Sequence, residues 1–83
     1  MDFLLKKERI VVEAKMTRAT LRDRQIGEEL IIDTARYQSH PDCDALVCFV
    51  YDLNGYVSNA AGLEGDLSGT KGKLKVHVIV NPR

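Results

Sequence analysis

The sequence predicts an α/β domain: helices covering a mixed four-stranded sheet, in the order strand, strand, helix, strand, helix, strand. Three observations lead there. Arg9-Ile10-Val11-Val12-Glu13-Ala14-Lys15 is a short apolar run of strand length, and residues 23–39 carry apolar side chains at helical spacing. Ala45-Leu46-Val47-Cys48-Phe49-Val50-Tyr51 is seven apolar residues without alternation, the pattern of a strand covered on both faces.

The elements follow in chain order. Asp2-Phe3-Leu4-Leu5 reads as a first strand, joined to the run at 10–15 through the polar stretch Lys6-Lys7-Glu8-Arg9. An even-length loop centred between Lys7 and Glu8 places Asp2 across from Glu13, Leu4 across from Val11 and Leu5 across from Ile10. An odd-length loop would send Asp2 to the other face. A polar connector with Arg18, Arg22 and Arg24 precedes a helix expected from about Asp23 to about Ser39. Asp23 is its expected N-cap, Pro41 its stop, and Ile26, Leu30, Ile31, Thr34 and Tyr37 its buried stripe. Asp33 and Arg36 read as solvated or paired across the helix. The strand at 45–51 follows, and a strand–helix–strand unit implies parallel pairing. Residues 58–68 read as a short helix capped by Ser58 or Asn59, with Leu63 and Leu67 buried. A glycine-rich stretch through Gly72 then leads to the last strand, on which Leu74, Val76, Val78 and Val80 share a face.

With 83 residues, 45% hydrophobic and 29% charged, the chain is expected to form one folded domain spanning 1–83. No stretch is apolar enough to span a bilayer, and no signal-peptide pattern opens the chain. Cys43 and Cys48 have no zinc spacing and make a poor disulfide pair, so reduced thiols and a cytoplasmic location are expected. Twelve basic and twelve acidic residues cancel. Their distribution is uneven: residues 1–24 hold seven basic groups against four acids, residues 71–83 hold four and none, and residues 25–70 hold one against eight. Such segregation places a positive field at the termini. His40 and His77 lack a nearby nucleophile or metal-ligand spacing, and Tyr37 reads as a core residue.

Glu13 and Lys15 carry the chemistry. On a strand they share one face, roughly 6.5–7 Å apart, and two charges on so apolar a strand need pairing, hydration or a metal. With Asp2 facing Glu13, two carboxylates converge and a hard divalent cation is the natural neutraliser. Magnesium is commonly held by one or two carboxylates with waters and substrate phosphates. Lys15 beside it would steady an attacking hydroxide or the charge developing at phosphorus.

An acid on one strand, Glu-x-Lys on the next, then a helix and a buried parallel strand resembles the PD-(D/E)XK nuclease superfamily. Within it the chain is similar to the C-terminal catalytic domain of DpnII/MboI-type restriction endonucleases. The segments carrying the likeness are Asp2-Phe3-Leu4-Leu5, Ile10-Val11-Val12-Glu13-Ala14-Lys15, Gly27 to Tyr37, His40-Pro41-Asp42-Cys43, Leu46 to Asp52 and Gly62 to Ser68. The resemblance implies a restriction-endonuclease-like fold lacking the usual N-terminal helix and first strand, and Mg²⁺-dependent hydrolysis of DNA with Mn²⁺ as substitute. Asp2 and Glu13 would be metal ligands, Lys15 the catalytic lysine and Glu29 a supporting residue. Arg18, Arg22 and Arg24 are candidates for DNA phosphate contacts. The absent front would be supplied by a homodimer partner or a further N-terminal segment. The alternative is a catalytically inactive nucleic-acid-binding or oligomerisation module keeping the nuclease fold.

Overall fold

The structure, a computed structural model, describes residues 2–82, with Asp2 described in its backbone alone. The elements are β1 (Asp2–Leu5), β2 (Ile10–Met16), α1 (Asp23–Gln38), β3 (Ala45–Tyr51), α2 (Ala60–Leu67), β4 (Gly69–Lys71) and β5 (Leu74–Asn81). They build one mixed sheet ordered β1-β2-β3-β5-β4. β2, β3 and β5 run parallel, while β1 and β4 are antiparallel edges. The expected mixed α/β architecture is therefore present, with five strands among the described residues instead of four. The addition is β4, which the glycine-rich stretch conceals. Its hairpin to β5 turns on Gly72-Lys73, and Gly72 has the positive φ of 62° that a tight two-residue turn demands of its first central residue.

The first hairpin has the expected register: Asp2 pairs with Glu13, Leu4 with Val11 and Leu5 with Ile10. Arg9 fixes it. Its φ of 62° lies in the left-handed region, unfavourable for a residue with a Cβ. Its side chain reaches across the molecule to Asp44 (Nε–Oδ2 2.6 Å) and donates to the Pro41 carbonyl (2.6 Å). Its carbonyl accepts from the Asp44 amide at 2.8 Å. These contacts lock the loop onto the entrance of β3, so a one-residue slip would break them all.

The core lies on one side of the sheet. Val11, Leu46, Cys48, Val50, Leu74, Val76, Val78 and Val80 meet Ile26 and Leu30 of α1, with Tyr37, Ala60, Leu63 and Leu67 packed against them. Both cysteines are buried and form no disulfide. On the opposite side Ala45, Val47 and Phe49 are only half-buried. Phe3, Leu5, Met16, Tyr51 and Ile79 are exposed. Both described helices thus cover the same face, and β3 is sealed on one side rather than on both. Among the described residues no helix is long and apolar enough to cross a membrane.

Helix α1 departs from the expected stripe. Ile31 is 60% exposed, whereas Ile26, Leu30 and Asp33 are buried. At about 100° per residue, positions 26, 30, 33 and 37 fall within roughly 60° of arc while 31 lies about 140° from 26. A carboxylate therefore occupies the third place of the inward-facing row. The N-cap also differs: Arg22 holds it, and its backbone N–H donates to Gln25 Oε1 at 3.3 Å. Asp23, already helical, instead accepts from the Ser58 amide (3.1 Å) and hydroxyl (3.0 Å), tying α1 to the start of α2. Asn59 caps α2 through the Gly62 amide at 3.0 Å.

Candidate functional site

The alternation of β2 sends Val11, Glu13 and Lys15 toward α1. Val11 joins the core, and the two charged residues meet the polar part of the α1 stripe. The Lys15 ammonium lies 2.8 Å from Asp33 Oδ2, 3.0 Å from Glu29 Oε1 and 3.6 Å from Glu13 Oε1. Arg36, one helical turn beyond Asp33, places Nη2 3.2 Å from Asp33 Oδ1 and 3.9 Å from Glu13 Oε1. Its guanidinium lies over the Tyr37 ring, 4.7 Å from the centroid. Three carboxylates and two cations are thus interleaved where β2 approaches its carboxyl end.

Burial divides them. The Glu13 side chain is 4% exposed, those of Asp33 and Lys15 11% and 13%, while Glu29 and Arg36 stand at the rim at 44% and 56%. Burial alone would lower the pKa of Lys15. The close contact with Asp33, the hydrogen bond to Glu29 and the charge of Glu13 outweigh it and raise the value above that of an ordinary lysine. Lys15 is therefore an ammonium at neutral pH. It supplies a fixed positive charge and N–H donors to a developing anion, and it has no lone pair with which to act as a base.

The structure brings Glu13, Lys15 and Glu29 together. Asp2 is opposite Glu13 in the β1–β2 ladder; its side chain lies outside the described residues. Among the described residues no three His, Cys, Asp or Glu side chains are grouped to hold a metal by themselves. The Lys15 amine occupies the centre of the three carboxylates instead. Glu13 remains an all-oxygen, hard donor at the strand position facing residue 2, which suits a divalent cation completed by water and phosphate.

The arginines of the connector stand apart from this cluster. Arg18 forms an isolated bridge with Leu21. Arg22 donates to the Ala19 carbonyl at 3.1 Å and lies 4.8 Å over the Tyr56 ring. Arg24 pairs with Glu28 at 3.0 Å, both exposed. His40 accepts the Asp42 amide at Nδ1 (3.1 Å), and His77 is exposed on the uncovered face.

Asp33 and Arg36, expected to be solvated or paired across the helix, belong to the cluster. Asp33 does pair with Arg36 across one turn, but it is buried. The signal for Asp33 was present: an acid at the stripe position between Leu30 and Tyr37 has to be compensated from the strand beneath.

Behind the cluster, the loops after β2 and β3 are tied together. The buried Asp52 carboxylate accepts from the Thr17 hydroxyl (2.7 Å), the Tyr56 amide (2.7 Å) and the Val57 amide (2.9 Å). Burial works to raise its pKa, and these hydrogen bonds prevail and lower it.

The family model for DpnII-MboI restriction endonucleases (REase_DpnII-MboI) matches residues 1–83. No curated protein and no solved structure matches the chain. A mixed sheet with an acid position facing Glu-x-Lys, a helix laid over that strand, and a family match along the whole sequence lead to one conclusion: the chain belongs to the DpnII-MboI restriction endonuclease family.

Proposed function

We propose that this domain hydrolyses DNA phosphodiesters with Mg²⁺, Mn²⁺ serving as substitute, as the core of a restriction-type endonuclease. Glu13 and Asp2 would hold the cation, Lys15 would stabilise charge, and Glu29 would support Lys15. The observation that carries the reading is a buried Glu13 beside a permanently charged Lys15 on a strand whose partner brings Asp2 into register. When bound, the ion would act as a Lewis acid on the phosphoryl group and lower the pKa of an attacking water. Lys15 would donate to the oxygen on which charge accumulates. Arg18, Arg22 and Arg24, on the connector that leaves the carboxyl end of β2, would meet backbone phosphates, their existing contacts with Ala19, Tyr56 and Glu28 being exposed enough to exchange.

The test is plasmid cleavage with Mg²⁺ or Mn²⁺ by the wild type and Glu13→Gln, which keeps the shape of the side chain while removing its charge. Nicking or linearisation by the wild type, reduced at least about 100-fold in the variant, is expected. Equal cleavage by both proteins would remove Glu13 from the chemistry. The crowding of Lys15 by carboxylates favours one second reading, a binding module that keeps the fold without the reaction. In that case the wild type shifts DNA on gels with an affinity that falls steeply with salt, and cleaves none.

A further inference from the structure

Resting on that reading, we propose that Asp33 is the positioning residue of the site, bridging Arg36 and Lys15 so that the Lys15 amine is held beside Glu13. The geometry supporting this is a carboxylate with an ion-pair contact at each oxygen, of which only that of Oδ1, with Arg36, is a hydrogen bond. Oδ2 meets Lys15 at 2.8 Å and Oδ1 meets Arg36 at 3.2 Å. The Asp33 contact is the shortest that Lys15 makes, and it comes from a side chain only 11% exposed. Glu29, which accepts a hydrogen bond from Lys15 at 3.0 Å, is 44% exposed. A half-solvated carboxylate on a flexible stem defines a position poorly, because water competes for it and its rotamers are many. A short, buried carboxylate on a helix packed by Ile26 and Leu30 defines it well.

Lys15 needs such help. Its stem has four rotatable bonds, and its ammonium is a point charge without intrinsic direction. Two residues along the strand, Glu13 attracts it from one side only, at 3.6 Å. Asp33 supplies the opposing pull from the helix, and Arg36 keeps Asp33 oriented from the far side. The amine is thus suspended between strand and helix. The contacts of Asp33 are with Lys15 and Arg36, so Asp33 acts through Lys15.

The experiment compares wild type, Asp33→Asn and Asp33→Glu in two measurements. In steady-state DNA cleavage with Mg²⁺, Asp33→Asn should lower kcat about 10–100-fold, the range seen when supporting partners of site residues are removed. KM should stay within about threefold, since binding outside the reacting centre is untouched. Asp33→Glu, which retains the charge, should recover most of the rate. In parallel, the ¹H–¹⁵N signal of the Lys15 ammonium, sheltered from water exchange while clamped, should persist in wild type and Asp33→Glu and vanish in Asp33→Asn. Far-UV circular dichroism checks that each variant is folded. An unchanged kcat in folded Asp33→Asn overturns the proposal, as does an undiminished ammonium signal. If the wild type itself does not cleave, the nuclease reading fails separately, and the ammonium signal alone decides whether Asp33 holds Lys15.

Discussion

Removing the amine at the centre of the cluster should unfold the domain more readily, and the size of the effect can be worked out. In Lys15→Met the apolar stem is kept and the charge deleted. Glu13 and Asp33, 4% and 11% exposed, then lose their shared cation inside the protein. Removing one partner of a buried ion pair costs about 3–5 kcal/mol, because the remaining charge is left uncompensated. Glu29 at 44% exposure adds little, since water takes over from Lys15 there. Arg36 stays within 3.2 Å of Asp33 and 3.9 Å of Glu13 and offsets part of the loss. With that offset the loss falls to about 2–3 kcal/mol, just below this range. For 83 residues the whole stability is about 4–12 kcal/mol, so the midpoint temperature should fall by about 10–20 °C. Thermal unfolding followed by circular dichroism measures this, and in urea the midpoint concentration should fall with the slope unchanged. The double variant Lys15→Met with Asp33→Asn removes a carboxylate together with the amine and should recover about 1 kcal/mol. Site residues are often kept at a cost to stability; a Lys15→Met protein as stable as wild type, or more so, would place Lys15 in that class and refute the cage described above.

Further expectations concern pH and the loops behind the site. The raised pKa of Lys15 means that its contribution is complete below the ordinary lysine value of 10.5 and is lost as pH climbs through the higher folded value. The gap between wild type and Lys15→Met in urea midpoints should therefore hold across neutral pH and close only in strong alkali. Asp52→Asn should cost about 2 kcal/mol at neutral pH, one charge-assisted hydrogen bond being worth roughly 1.5–3. Because the Asp52 pKa is lowered from 3.8, its contribution exists above that value and disappears as pH falls through the folded one. Wild type and Asp52→Asn should thus converge in acid; a gap that stays constant from neutral pH down would contradict the ionised Asp52 knot. In Asp23→Ala the amides of Ser58 and Asn59 lose their acceptor, and hydrogen exchange at both should quicken while the strand amides of β3 keep their protection.

The parts of the molecule that local arithmetic governs were legible in the sequence. Loop parity left two choices for Asp2, the even case putting it opposite Glu13 as the structure does, and β2 could be read as a strand with Glu13 and Lys15 on one side. What escaped depended on distance or brevity. β4 has three residues, too few for any alternation to emerge, and only the Gly72-Lys73 turn betrays it. Arg9 fixes the first hairpin through Asp44, 35 positions away, which no local pattern reveals. An apolar run such as 45–51 states that a strand lies inside a sheet, but an exposed Tyr51 and a half-buried Phe49 satisfy it as well as a second layer of helices would. Asp33 was hidden by chemistry. A carboxylate on a helix is ordinarily solvated, and only counting residues round the turn shows that position 33 faces the strand while Ile31 faces water.

The uncovered side of the sheet has a practical consequence for every melting experiment proposed. Phe3, Leu5, Met16, Tyr51 and Ile79 offer a native protein's apolar skin to whatever small aromatic molecule is in solution. A reporter such as ANS, chosen because it brightens on greasy surfaces, should fluoresce on this domain before any heating. A thermal scan read by such dyes would then begin bright and dim, tracking dye departure in place of denaturation.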